Sequence, residues 1–130
     1  MLVAVASGCS DQGSGRDSAG AVPLEPVTTA VTASGSARLV GGGRGARLRV
    51  RVRGLPPLEG AYAIWLFNTA GDAVGVARVV RGSFALEARL PVDPARYRYV
   101  DVSREPLDGN ANHSGASVLR VPVARLLAAR

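Results

Sequence analysis

Lysine is absent from this chain: its sixteen basic residues are all arginine, set against ten acidic residues and one histidine. The glycine-rich run at 41–45 is therefore no phosphate-cradling P-loop, which needs a lysine and a following helix. Cysteine occurs once, so no disulfide closes within the chain and packing alone must hold the fold. One histidine with no thiol near it falls short of the ligand count of a zinc site. Aromatic residues make up only 5% and do not interleave with the arginines as an RNA-stacking platform does. Helix-turn-helix and zinc-finger spacings are missing too, so nucleic acid is not an expected partner. There is no G-x-S-x-G nucleophile elbow and no run of about 20 apolar residues that would cross a bilayer.

What remains is aliphatic and rich in turns. The apolar fraction is 47%, with 16 glycines and 8 prolines in 130 residues. That length suits one domain, and the frequent turn residues favour strands over a helical bundle. The net charge of +6 and a pI near 11.0 would suit an anionic partner. The exclusive use of arginine points to a high-GC bacterial genome.

The core should be organised around residues 61–68, AYAIWLFN, which carry the only tryptophan, Trp65. Eight uncharged residues between Gly60 and the Gly71-Asp72 turn read as a strand buried on both faces at the centre of a sheet. Tyr62, Ile64 and Leu66 would face one way and Ala63, Trp65 and Phe67 the other. Further strands are expected at 27–33, 36–40, 46–53, 73–80 (with Gly75 as a bulge), 83–90, 97–103 and 117–123, the last at an edge because of Pro122. The sum is an all-β, antiparallel β-sandwich of Ig-like or Greek-key type with about seven strands, spanning 27–124. A short helical tail is expected at 125–130.

Ahead of the sandwich, residues 1–9 read as the remnant of a lipoprotein signal. Ala6-Ser7-Gly8 precede Cys9, and a Gly/Ser/Asp tract begins directly after it. The stretch lacks a basic n-region, which a start codon further upstream would supply. Two other readings stand beside lipidation of Cys9: an incidental thiol, or the stub of a transmembrane helix. Residues 10–26 are expected to be a flexible linker, disordered over 10–21, which show no hydrophobic period, and stiffer over 22–26, where Pro23 and Pro26 fix two φ angles. An acyl anchor on Cys9 would place the domain outside the cytoplasm, on the outer face of the cell membrane.

Two stretches carry candidate site residues. In 46–53, Leu48, Val50 and Val52 alternate with Arg47, Arg49, Arg51 and Arg53, which places four guanidinium groups on one solvent face. Such a face is either a solvated surface that discourages edge aggregation or an anion-facing stripe against lipid headgroups. The loop 104–115 with its flanks gathers Asp101, Ser103, Glu105, Asp108, Asn110, Asn112, His113 and Ser114. Asp108, Asn110 and Asn112 alternate as calcium ligands do, but Gly109 comes too early for an EF-hand and the closing glutamate is missing. The reading adopted is a self-satisfying turn capped by His113, with no metal, cofactor or catalytic residue.

The strand 62–68, the Gly82-Ser83-Phe84 turn, the Val102-Ser103-x-Glu105-Pro106-x-x-Gly109 segment and the closing Ser114-Gly115-x-x-Val118-Leu119 strand together resemble the extracytoplasmic C-terminal domain of anti-sigma-K factors, over about 37–123. That family's sigma-binding helix with its His-x-x-x-Cys-x-x-Cys pattern has no counterpart here. The resemblance implies a non-enzymatic sensing or binding module with an envelope protein as partner, and supplies no catalytic residues. The alternative is a fragment of a membrane-bound anti-sigma factor.

Overall fold

The computed structural model describes residues 20–130; Cys9 and residues 10–19 of the expected linker lie outside them. Two antiparallel sheets pack face to face. One contains, in order, β1 (Val22–Pro23), β3 (Ser34–Val40), β4 (Arg47–Arg53) and β7 (Phe84–Arg89). The other runs β2 (Glu25–Pro26), β9 (Ser117–Pro122), β8 (Tyr99–Glu105), β5 (Ala61–Thr69) and β6 (Asp72–Val79). The all-β sandwich read from the turn spacing is the architecture found.

β5 is buried from Ala61 to Phe67, and its two faces do different work. Tyr62, Ile64 and Leu66 join the main core between the sheets, with Leu39, Leu48, Val50, Val100, Val102, Leu119 and Val121. Ala63, Trp65 and Phe67 form a second, smaller cluster with Ala73 and Tyr99 on the opposite side. Burying Ile64 and Leu66 completely contributes on the order of 2 kcal/mol each. The strand is not at the centre of its sheet, since only β6 lies beyond it. Its outer face is shielded by the loop after β8, whose His113 lies against both the Trp65 and Phe67 rings. The expected irregularity beside Gly75 is present: pairing with β6 skips a residue between Ile64 and Trp65.

Three further expectations need correction. Residues 27–33 form no strand; the chain there crosses from one sheet to the other, and the Thr28 hydroxyl accepts the Ala30 N–H in a turn. Alternation over a short Val/Thr run has no power to distinguish a paired strand from such a crossover. Residues 22–26 are not linker but two short edge strands, pairing with β3 and β9 in turn. Leu24, 5% exposed, enters the core where the chain switches sheets, and edge positions tolerate Pro23 and Pro26. The C-terminal segment is a helix, α1 (Val123–Ala129), and it does not hang free. Val123 and Leu126 are buried in the main core, so amphipathic packing holds a helix too short to persist alone.

Close backbone approach explains one turn. A Cβ on Gly82 would lie 1.9 Å from the Leu55 carbonyl oxygen, the turn that also ties Leu55 N–H to the Gly82 oxygen at 3.0 Å. On the inner face of β5, the Tyr62 hydroxyl donates to the Pro56 carbonyl. Burial pushes this phenol's pKa up, against a smaller opposing effect of Arg104.

Candidate functional site

Two places collect polar chemistry, one on the outer side of each sheet. The first lies beneath the loop 106–116. β8 and β9 are paired so that Asp101 stands directly opposite Arg120, and β5 and β8 so that Trp65 stands opposite Asp101. All three therefore share the outer face, where the loop covers them.

Asp101, fully buried, accepts from three side chains. His113 Nε2 lies 2.7 Å and Ser117 Oγ 2.8 Å from Oδ2, while Arg120 Nε and Nη2 lie 3.1 and 3.0 Å from Oδ1. The Gly115 N–H donates to His113 Nδ1 at 2.8 Å. Only an unprotonated ring nitrogen accepts an N–H, so the ring proton sits on Nε2 and points at Asp101. The guanidinium of Arg120 stacks 4.9 Å from the Phe67 ring centroid and 4.6 Å from that of Tyr99, a cation–π arrangement. The His113 ring lies 5.0 Å from Trp65 and 4.7 Å from Phe67, tilted to both.

A second chain of hydrogen bonds runs alongside. Trp65 Nε1 donates to Ser103 Oγ at 2.8 Å, and Ser103 Oγ donates to Glu105 Oε2 at 2.5 Å. Glu105 is also buried and accepts the Ser114 N–H at 3.1 Å. Among the described residues no buried side-chain nitrogen or oxygen lacks a partner. Serine, histidine and acid thus converge without forming a hydrolytic relay: the serine bonds the acid, and both ring nitrogens of the histidine are occupied.

The loop splits the residues that the sequence grouped. His113 is inside, capping the loop from beneath. Asp108, Asn110 and Asn112 are exposed outside. Each of the first two accepts an N–H two residues on, from Asn110 and Asn112 respectively, at 2.9 Å. These are Asx turns, with the side chains spent on their own backbone. No group of three or more His, Cys, Asp or Glu among the described residues is placed to hold a metal ion.

The second place is the outer face of the four-stranded sheet. β4 alternates exposed and buried without a break, so Arg47, Arg49, Arg51 and Arg53 all emerge on this side. They are not equivalent. Glu87 on the neighbouring β7 stands opposite Arg49 and bridges two of them, at 2.7 Å from Arg47 Nε and 2.6 Å from Arg49 Nε. These bonds, Arg49's first and then Arg47's, hold the Glu87 carboxyl below its usual range. Arg51 instead stands between Ser36 and Ala85, and Arg53 beside Ser34.

Arg120 and Ser117 escaped the sequence reading. A signal for Arg120 exists: Asp101 and Arg120 are each the single charge in an otherwise apolar or small-residue run, at a position whose two neighbours point into the core. Opposite lone charges on adjacent strands are the mark of a cross-strand pair. Compared with protein-family models, with curated proteins and with solved structures, the chain matches none. No described helix is long and apolar enough to cross a membrane.

Proposed function

We propose that this protein is a non-enzymatic binding or sensing module of the bacterial cell envelope, held on the outer face of the cell membrane by acylation of Cys9. The observation that carries the reading is the saturation of the polar cluster under the loop. Asp101, Glu105 and His113 are the residues best suited to acid–base work, yet each is buried and bonded to this chain's own groups. A catalytic base keeps a lone pair for its substrate; here those lone pairs hold a loop in place.

The likeness to the outer domain of anti-sigma-K factors fits the same picture. Trp65, Ser103 and Glu105, three of the residues on which it rests, are joined by one hydrogen-bonded chain. This supports reading the motif as architecture shared by a binding scaffold. The membrane-bound anti-sigma factor remains the alternative source of such a domain.

The test is fractionation of the protein expressed from its native locus, with and without Cys9→Ser, alongside labelling with a fatty-acid probe. The expected result is labelled, membrane-associated wild type and an unlabelled variant released from the membrane. A variant that stays with the membrane would remove the lipid anchor and favour a transmembrane one.

A further inference from the structure

We propose that the outer face of the four-stranded sheet is a docking surface for an anionic membrane, with Glu87 acting as its brake. The proposal extends the envelope-module reading by naming what this face meets.

The first observation is the excess of charge. β3, β4 and β7 present Arg38, Arg47, Arg49, Arg51, Arg53 and Arg89 on one side, with Glu87 the only acid among them. Six cations against one anion leave an excess of five, most of the chain's net +6.

The second is how the cations are arranged. Arg38 is paired directly opposite Arg49, and Arg47 directly opposite Arg89. Like charges in direct cross-strand register destabilise a sheet. The fold carries two such pairs side by side; Glu87 bonds one arginine of each, and an external anion would relieve the repulsion that one carboxylate leaves.

The third is shape. Along β4 the arginines from 47 to 53 cover about 20 Å at the ordinary rise of a strand, more than a single phosphate group can bridge. Beside Arg51 the side chains of Ser36 and Ala85 are small, and a shallow hollow of about 370 Å³ opens between Arg38, Arg49 and Arg51, with Glu87 also in its lining. The face therefore suits an extended array of anionic headgroups, one of which can enter the hollow.

Chain length selects a membrane over a soluble polymer. Val22 begins β1 at the edge of this same sheet, thirteen positions after Cys9. Such a segment reaches at most about 45 Å. A lipid on Cys9 thus keeps this face within reach of the bilayer, where each arginine adds about fivefold to the affinity for an anionic surface.

The test uses the full chain carrying Cys9→Ser, so that no acyl chain contributes, and phosphatidylcholine vesicles with or without phosphatidylglycerol. Binding is expected only to the anionic vesicles, and should vanish near 1 M salt, where the screening length is about 3 Å. Arg51→Ala with Arg53→Ala should weaken it roughly 25-fold. Glu87→Gln, which removes the carboxylate from between Arg47 and Arg49, should tighten it several-fold. Arg78→Ala, on an edge strand of the other sheet, should change it less than about twofold; thermal melts of each variant verify folding. Equal binding to neutral vesicles, or equal loss from Arg78→Ala and the Arg51/Arg53 pair, would overturn the proposal. So would capture of soluble polyphosphate without vesicle binding, which would assign the face to a polymer. Because the test omits the acyl chain, its failure is distinguishable from a failure of the Cys9 fractionation, although the choice of a membrane as occupant rests on that anchor.

Discussion

The two outer faces of the sandwich use the same ingredients to opposite ends. Each has a carboxylate gripped by cationic or hydrogen-bonding side chains: Asp101 by His113, Ser117 and Arg120, Glu87 by Arg47 and Arg49. Under the loop, the Asp101 and His113 side chains are wholly out of solvent. On the arginine face, Glu87 keeps 33% of its side-chain surface and the two arginines about half of theirs. Water decides what each arrangement is worth. Buried, a shared carboxylate is a structural latch whose removal strands its partners; exposed, it contributes little to stability and instead sets how much charge the surface offers.

The strongest test of that contrast is Asp101→Ala. It leaves the His113 Nε2–H, the Ser117 hydroxyl and the Arg120 guanidinium facing an empty site in the interior. The expected loss is about 3–5 kcal/mol of unfolding free energy, read from urea titration. A loss under about 1 kcal/mol would mean that water reaches the cluster freely and that the two faces do not differ.

A smaller effect is expected from Trp65→Phe. The ring volume shrinks and the donor to Ser103 Oγ disappears, while that hydroxyl keeps its own bond to Glu105. The expected cost is about 1–2 kcal/mol, from one lost hydrogen bond and a partly filled cavity. Hydrogen exchange should quicken at the Ser114 and Gly115 amides if the indole helps to position the loop.

The same contrast explains what could be read from the chain before its structure. β4 was legible residue by residue, because a bare outer face leaves polar residues at every second position and the period survives in the sequence. β5 was legible as a doubly buried strand, and the two sets of residues on its faces were assigned as found. What covers its outer side was not. The expectation was burial on both faces, and the cover on the outer one is a polar loop with one histidine. A loop contact of this kind depends on how far the chain folds back, which no local period encodes. The pairing of Asp101 with Arg120 was hidden for a related reason: Arg120 looks like an ordinary outward residue until strand register sets it opposite Asp101. The ends of the domain were misjudged through composition. Pro23 and Pro26 suggested a stiff linker, yet edge pairing needs few donors, and the tail 125–130 was short enough to look free although Leu126 is fully buried.

The smallest expected effect concerns Glu87, and it is the other half of the comparison. Its carboxyl is held below the usual range by Arg49 and Arg47, so the folded chain keeps it ionised at a pH where the unfolded chain has begun to take up a proton. Whatever stability the clamp supplies is therefore present above the ordinary glutamate value near pH 4 and disappears as the pH falls through the lower, folded one. Because the group is exposed, this contribution should be hard to resolve. Glu87→Gln should shift the urea midpoint at pH 7 by no more than replicate scatter, and the wild type and variant should stay parallel down to about pH 5. A clear destabilisation at pH 7 would make Glu87 a structural latch like Asp101. An unchanged midpoint with altered affinity for anionic vesicles would leave it as a regulator of surface charge, since a residue that costs the fold nothing to lose is free to be set by what the surface must bind.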